Sequence, residues 1–333
     1  MPDHPIKADQ STGQTNPVAP GEYWFKLRVE LCPQRRFDTE KTELLFSLDE
    51  EGKEVKVTSA PPGPIGGAST INFDVHGFNS FEDAHKAGLR LRRAVLLAAC
   101  ISGIGVDVGP DQAAPEKERE EKRAWGYRVK NAMQGLTVHK GQMKRKIMWS
   151  DVQCISMPDP VGFLGVIQSK FSENPVFTDL QLLALELYGL SQFETSGRAR
   201  FLVLTSVVEV LSKRELRPQE SLDILDQMAI AVESSSLESD QKKSLKDGID
   251  SLRRESISKA CKRLVRNYLG KKAADEFRNI YDLRSALLHT GDCKDADIDL
   301  AGIPLTSMIE AIFKKMILPS DGSNQPNKKS NSS

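Results

Sequence analysis

Arg284 and His289 stand five positions apart in the segment Tyr281-Asp282-Leu283-Arg284-Ser285-Ala286-Leu287-Leu288-His289-Thr290-Gly291. A guanidinium presents a planar fork of N–H donors that matches phosphate oxygens. An imidazole gives and takes a proton near neutral pH. Together the two can bind a phosphate and move its proton. Five residues of α-helix turn through about 140° beyond a full revolution, so the two side chains do not share one strict stripe. Gly291 falls where a helix commonly ends in a left-handed glycine, and a loosened last turn would swing the imidazole toward the arginine. Leu283, Ala286 and Leu287 are expected to hold one side of the helix in the core, leaving Arg284 free for phosphate. The structural alternative has His289 offsetting the helix dipole and Arg284 paired with Asp282 or a neighbouring acid.

Just upstream, Arg253, Arg254, Lys259, Lys262, Arg263, Arg266, Lys271 and Lys272 place eight cations in twenty residues, with Glu255 the one acid among them. Lys259, Lys262, Arg263 and Arg266 follow i, i+3, i+4, i+7 spacing and so share a helix face. Such a stripe, continued by Lys271 and Lys272, can follow a phosphate backbone. A solvated face on a long helix is the equal alternative. Tyr268 reads as a core tyrosine before a base-stacking one. Lys140, Lys144, Arg145 and Lys146 form a smaller basic patch.

These residues need a helical scaffold, and the second half of the chain has that pattern. Thr178 caps a helix from Leu180 to Leu190. Gly197 to Lys213 carries the stripe Phe201, Leu204, Thr205, Val208 and Leu211. Pro218 starts another helix. Ser239-Asp240 open a long one running, with room for a break, to Leu269, where Gly270 stops it. Lys271 to His289 and Thr306 to Ile317 follow. Short polar turns between five or six helices give an all-α bundle over 171–318.

The first part differs. Tyr23 to Leu31 alternates apolar and charged residues as a strand with one wet face. Leu44–Leu48, Val55–Val57 and Ile71–Val75 are further strands, the first two joined by a hairpin turn over 49–53. Asn79-Ser80-Phe81-Glu82-Asp83 opens a helix running to Ser102, ended by Gly103, with a strand returning at 104–108. The fold class is therefore a small α+β domain over 21–110 followed by the helical bundle. Residues 111–170 read as a charged linker and an extended region, with strands at Leu136–His139 and Lys146–Trp149. Residues 1–20 and 319–333 are expected to be disordered.

Composition bounds the rest. The 333 residues are 39% hydrophobic and 28% charged, as in globular proteins. Lys+Arg 46 equals Asp+Glu 46, so a nucleic-acid partner must be met by a local patch. Five scattered cysteines without a C-x-x-C pair argue against a disulfide framework and a zinc site. His76 and His85 have no carboxylate at ligand spacing, and no phosphate-binding or dinucleotide glycine loop occurs. No metal or cofactor is expected. The longest apolar run, Ala94 to Ile101, is far below a membrane span. The N-terminus is polar and unlike a signal peptide, so a cytoplasmic location is expected.

The phrase Tyr281 to Gly291, ending a bundle helix, resembles the HEPN superfamily, most nearly its Apea-like branch. The upstream run Arg200-Phe201-Leu202-Val203-Leu204-Thr205-Ser206-Val207-Val208-Glu209-Val210-Leu211 is similar to that family's first core helix, an apolar run carrying an acid, here Glu209. The likeness covers about residues 175–318. It implies a bundle that dimerises, joining two such motifs in one cleft. Catalytic members are metal-independent endoribonucleases that leave a 2′,3′-cyclic phosphate and a 5′-hydroxyl. On that pattern His289 is the general acid/base, Arg284 steadies the phosphorane charge, and single-stranded RNA is the substrate. The implied setting is microbial defence or stress. Active members often carry Asn, Asp or His directly after the arginine, where this chain has Ser285. The superfamily also contains non-catalytic modules that bind RNA or protein or only dimerise, and toxin-like members silenced by an antitoxin or other regulatory protein.

Overall fold

The computed structural model describes residues 21–33, 37–48, 53–113, 134–141, 160–291 and 293–317. The disordered termini expected at 1–20 and 319–333, the turn at 49–52 and the strand at Lys146–Trp149 lie outside them.

Strand β1 (Tyr23–Leu31) is the organising strand of an antiparallel sheet. One edge of β1 pairs with β4 (Thr70–Phe78), which continues through β3 (Glu54–Ser59) to β2 (Glu43–Ser47). Its other edge is shared by the short β5 (Val106–Asp107) and by β6 (Gly135–Lys140). Alternation along β1 buries Phe25, Leu27, Val29 and Leu31 on one face. Across that face lies α1 (Phe81–Ser102). Ser80 caps it by accepting the Asp83 N–H at 3.0 Å, and Gly103 ends it in the left-handed region at φ +63°. Helix and sheet approach closely at Gly88, where an added Cβ would stand 2.5 Å from a Leu136 methyl.

The helices that follow are α2 (Pro160–Glu173), α3 (Asp179–Ser191), α4 (Gly197–Leu211), α5 (Gln219–Ser234), α6 (Ser239–Leu252), α7 (Ile257–Leu269), α8 (Lys271–His289) and α9 (Asp295–Ile317). An α+β N-terminal part followed by a helical C-terminal part is the observed fold class. One apolar core runs from the sheet through α1 into α4, α8 and α9.

Two local expectations change. Residues 160–173 are helix, because Phe163, Leu164, Ile167 and Phe171 gather on one face, buried beside α1. The last helix starts at Asp295 and continues through Pro304. Ile298, Leu305, Ile309, Ile312 and Phe313 are all buried, and that burial outweighs the N–H the proline lacks. The long run from Ser239 takes the break for which the sequence left room and is two helices. It breaks after Leu252, and Ser256 restarts it by accepting the Lys259 N–H at 3.3 Å.

Candidate active site

Helix α8 brings its chemistry against α4. Tyr281 and Arg284 are three residues apart and so face the same way. Both reach Glu209, near the end of α4. The Tyr281 hydroxyl donates to Glu209 Oε1 at 2.8 Å. Arg284 Nη2 lies 3.0 Å from Oε1 and donates to Oε2 at 3.3 Å. Its guanidinium carbon stands 5.5 Å from the centre of the Tyr281 ring. The arginine and glutamate side chains are only 22% and 19% exposed. Arg284 is therefore not free, as the spacing alone suggested. Its partner is Glu209, and the neighbouring Asp282 points to solvent. Arg284 Nε is buried without a hydrogen bond among the described residues.

The electrostatics of this cluster are coupled. Burial, then the hydrogen bond to Glu209 and that carboxylate's charge, push the Tyr281 phenol well up, while Arg284 pulls the other way. Tyr281 is thus a neutral donor across the physiological range. Cys261, buried on α7, is pushed up to about 11 by burial, against a lowering hydrogen bond with Ser212. It is no nucleophile at neutral pH.

His289 is the last residue of α8 and is exposed. Among the described residues its imidazole has no hydrogen-bond partner. The helix stays regular to that point. Thr290 then donates its N–H to the Ala286 carbonyl at 2.9 Å and its hydroxyl to the same oxygen at 2.8 Å. Gly291 takes the left-handed conformation at φ +67°. The exit is the expected one, but it follows His289, so no loosened turn swings the imidazole toward Arg284. Leu283 and Leu287 are half-buried and Leu288 is 50% exposed, making a shallower core face than the spacing implied. Beyond the turn, Arg198 on α4 ties this end down through Asp295 at 2.7 Å and the Cys293 carbonyl at 3.1 Å. Ser285 is half-buried beside Arg284.

The cationic stripe divides. Arg263 bonds Glu255 and Glu215, and Lys262 crosses to Asp275 on α8 at 2.8 Å. Arg253 is held by Asp226 and Asp250, and Arg254 donates to the Arg214 carbonyl at 3.0 Å. Lys259, Arg266, Lys271 and Lys272 remain exposed and without an ion pair among the described residues. Tyr268 is half-buried against the core. Of the smaller patch, Lys140 is exposed, and Lys144, Arg145 and Lys146 lie outside the described residues.

Two further histidine contacts had no clear signal in the sequence. His85 Nε2 lies 2.7 Å from Asp111 Oδ2. Trp24 is stacked between His76 and His139, at 5.0 and 4.3 Å between ring centres. Cross-strand pairing of Trp24 with His139 is the cause of the second contact. Among the described residues no three His, Cys, Asp or Glu side chains group as metal ligands. No described helix is long and apolar enough to cross a membrane. Comparison with family models, curated proteins and solved structures finds no match for this chain.

Proposed function

We propose that the chain is a HEPN-like endoribonuclease acting on single-stranded RNA as a homodimer, with Arg284 and His289 at the reacting phosphate. The observation that carries this reading is the contrast within one helix end. Arg284 is held in place by Glu209 and Tyr281, while His289 is exposed and unbonded among the described residues.

In the proposed reaction the RNA 2′-oxygen attacks its own phosphorus and the bond to the 5′-oxygen breaks. One group takes the 2′-hydroxyl proton and another returns a proton to the leaving oxygen. The products are a 2′,3′-cyclic phosphate and a 5′-hydroxyl. One His289 serves one of these roles, and the partner copy's motif serves the other. Arg284 stabilises the charge that develops on the phosphorane. Lys259, Arg266, Lys271 and Lys272, exposed on α7 and the start of α8, supply the electrostatic approach for the strand. The test is cleavage of labelled single-stranded RNA in EDTA by the full chain and by His289→Ala.

One observation favours a second reading. The Glu209 carboxylate already occupies Arg284, so a phosphate must compete for it. A non-catalytic HEPN-like module, binding RNA or protein or only dimerising, uses that ion pair to lock α4 to α8. Under this reading RNA is left intact, and His289→Ala does not change that.

A further inference from the structure

Helices α5 and α6 form a hairpin and pack chiefly on each other. Within the two helices only Leu225 and Ile249 are buried. At about 100° per residue, Ile224 and Met228 lie about 100° and 60° from Leu225 in the negative sense of rotation. Along α6, Leu245 and Leu252 lie about 40° and 60° from Ile249 in that same sense. When two right-handed helices face each other antiparallel, rotations of one sense reach one side of the pair. The four residues therefore share a single apolar face, exposed from 46% for Met228 to 59% for Ile224.

The ion pairs of the hairpin mark its opposite side. Glu233 on α5 pairs with Lys246 on α6, and its carbonyl accepts from Lys242 Nζ at 2.8 Å. Asp226 on α5 and Asp250 on α6 share Arg253, at 2.6 and 2.9 Å. All of these residues turn in the positive sense from Leu225 or Ile249. One side of the hairpin is thus laced shut by polar groups, and the other is left apolar and open. At the base, Leu216 and Arg254 form an antiparallel bridge that ties the hairpin to the bundle. A contiguous exposed apolar face held in this way marks an interaction site.

Charge selects what can cover it. From Gln219 to Leu252 the chain carries eight acids, three lysines and no arginine, a net charge of −5 in a chain whose total is zero. Two of the lysines are engaged by Glu233, and Arg253 holds Asp226 and Asp250. Glu220, Asp223, Glu238, Asp240 and Asp247 have no ion pair among the described residues. Such a surplus repels nucleic acid, anionic lipid and a second acidic hairpin, and it complements a cationic partner. Glu220 and Glu238, both exposed, are the charges of the hairpin that turn toward the apolar side. An apolar strip bordered by acids and no cation fits a helix with an apolar stripe and basic flanks.

We propose that the α5–α6 hairpin docks a basic amphipathic helix of a protein partner. The partner's apolar stripe lies on Ile224, Met228, Leu245 and Leu252, and its cations face Glu220 and Glu238. This inference does not rest on the ribonuclease reading. Failure of RNA cleavage leaves it standing, and its own failure leaves the motif chemistry untouched.

The test titrates the full chain into a fluorescein-labelled peptide of leucine and lysine and follows its anisotropy. The peptide has about 16 residues, matching the roughly 24 Å of α5, with its leucines at i, i+3, i+4, i+7 spacing. Saturable one-to-one binding is expected. A peptide of the same composition with its leucines dispersed around the helix is expected to bind at least about tenfold more weakly. Ile224→Ser/Leu245→Ser, at two exposed positions, is expected to weaken binding of the amphipathic peptide at least about tenfold with unchanged helical circular dichroism. Should that variant misfold, Glu220→Gln/Glu238→Gln decides, with binding expected to weaken about threefold or more and to depend less steeply on salt. No binding by wild type, or equal affinity for the two peptides, overturns the proposal. So does wild-type affinity in folded Ile224→Ser/Leu245→Ser or in Glu220→Gln/Glu238→Gln. A wild-type dimer in sedimentation that Ile224→Ser/Leu245→Ser splits places a second copy on this face and overturns it as well.

Discussion

The Glu209 carboxylate stands 3.0 Å from the Arg284 guanidinium, joining α4 to α8 across a separation of 75 residues. Tyr281 completes the contact by donating to the same carboxylate. Because Arg and Glu are about one-fifth exposed, the pair is neither a solvated surface bridge nor a fully desolvated one.

Removing the carboxylate leaves two donors without their acceptor. Glu209→Ala is expected to lower stability by about 2–3 kcal/mol, from the charged hydrogen bonds lost. Glu209→Gln keeps an acceptor for Tyr281 and should cost about half as much. Chemical denaturation of the two variants checks the order. On the ribonuclease reading both variants also lose cleavage by about tenfold or more, because Arg284 is no longer held in position.

A second pair lies on the sheet. Asp74 is 5% exposed, and its Oδ1 sits 3.3 Å from Lys26 Nζ, at an angle that makes no hydrogen bond. Burial raises the Asp74 carboxyl and lowers the Lys26 amine, each shift opposed by the attraction between them. Lys26→Met should therefore cost about 3 kcal/mol at neutral pH, by stranding a buried carboxylate. Lys26→Met/Asp74→Leu should recover most of that loss. The pH sign also follows. A carboxyl raised by folding is penalised when ionised, so the stability deficit of Lys26→Met shrinks as pH falls through the folded value. Melting curves of the single and double variants across acid pH measure it.

Glu255, buried where α6 gives way to α7, should respond to acid in the opposite sense. Burial works to raise the Glu255 carboxyl, but hydrogen bonds from Arg263 and from the Glu215 N–H outweigh it and hold the group below 4.5. A carboxyl depressed by folding contributes stability above its unfolded value and loses it as pH falls through the folded one. Wild type should lose stability below about pH 4.5 more steeply than Glu255→Gln. At neutral pH Glu255→Gln should be the weaker by about 2 kcal/mol. Thermal melts from neutral pH downward separate the two.

Much of the scaffold was legible because its signals are local. The Ser80 cap, the Gly103 exit, the Thr178 cap and the span from Lys271 to His289 all stand where the sequence placed them. Signals that depend on packing were misread. The last helix was expected only from Thr306, because the buried stripe from Ile298 to Phe313 that carries it through Pro304 is tertiary. The helix at 160–173 was hidden by Gly162 and Gly165 in a short apolar run. In the site, spacing located Arg284 and His289 but could not show that Glu209 faces the arginine. A helix face fixes direction, not partner. The cationic stripe shows the same limit, since Lys262 and Arg263 answer acids on other elements. The Tyr281–Arg284 spacing of three was the one local sign of the cluster.

The central claim is that Arg284 and His289 cut RNA, and its most direct test is a cleavage assay. Purified wild type and His289→Ala are incubated with end-labelled single-stranded RNA in excess EDTA, and the product ends are mapped. The account predicts fragments ending in a 2′,3′-cyclic phosphate from wild type, and a rate at least about a hundredfold lower from the variant. Intact RNA with wild type, or equal cutting by folded His289→Ala, would contradict it.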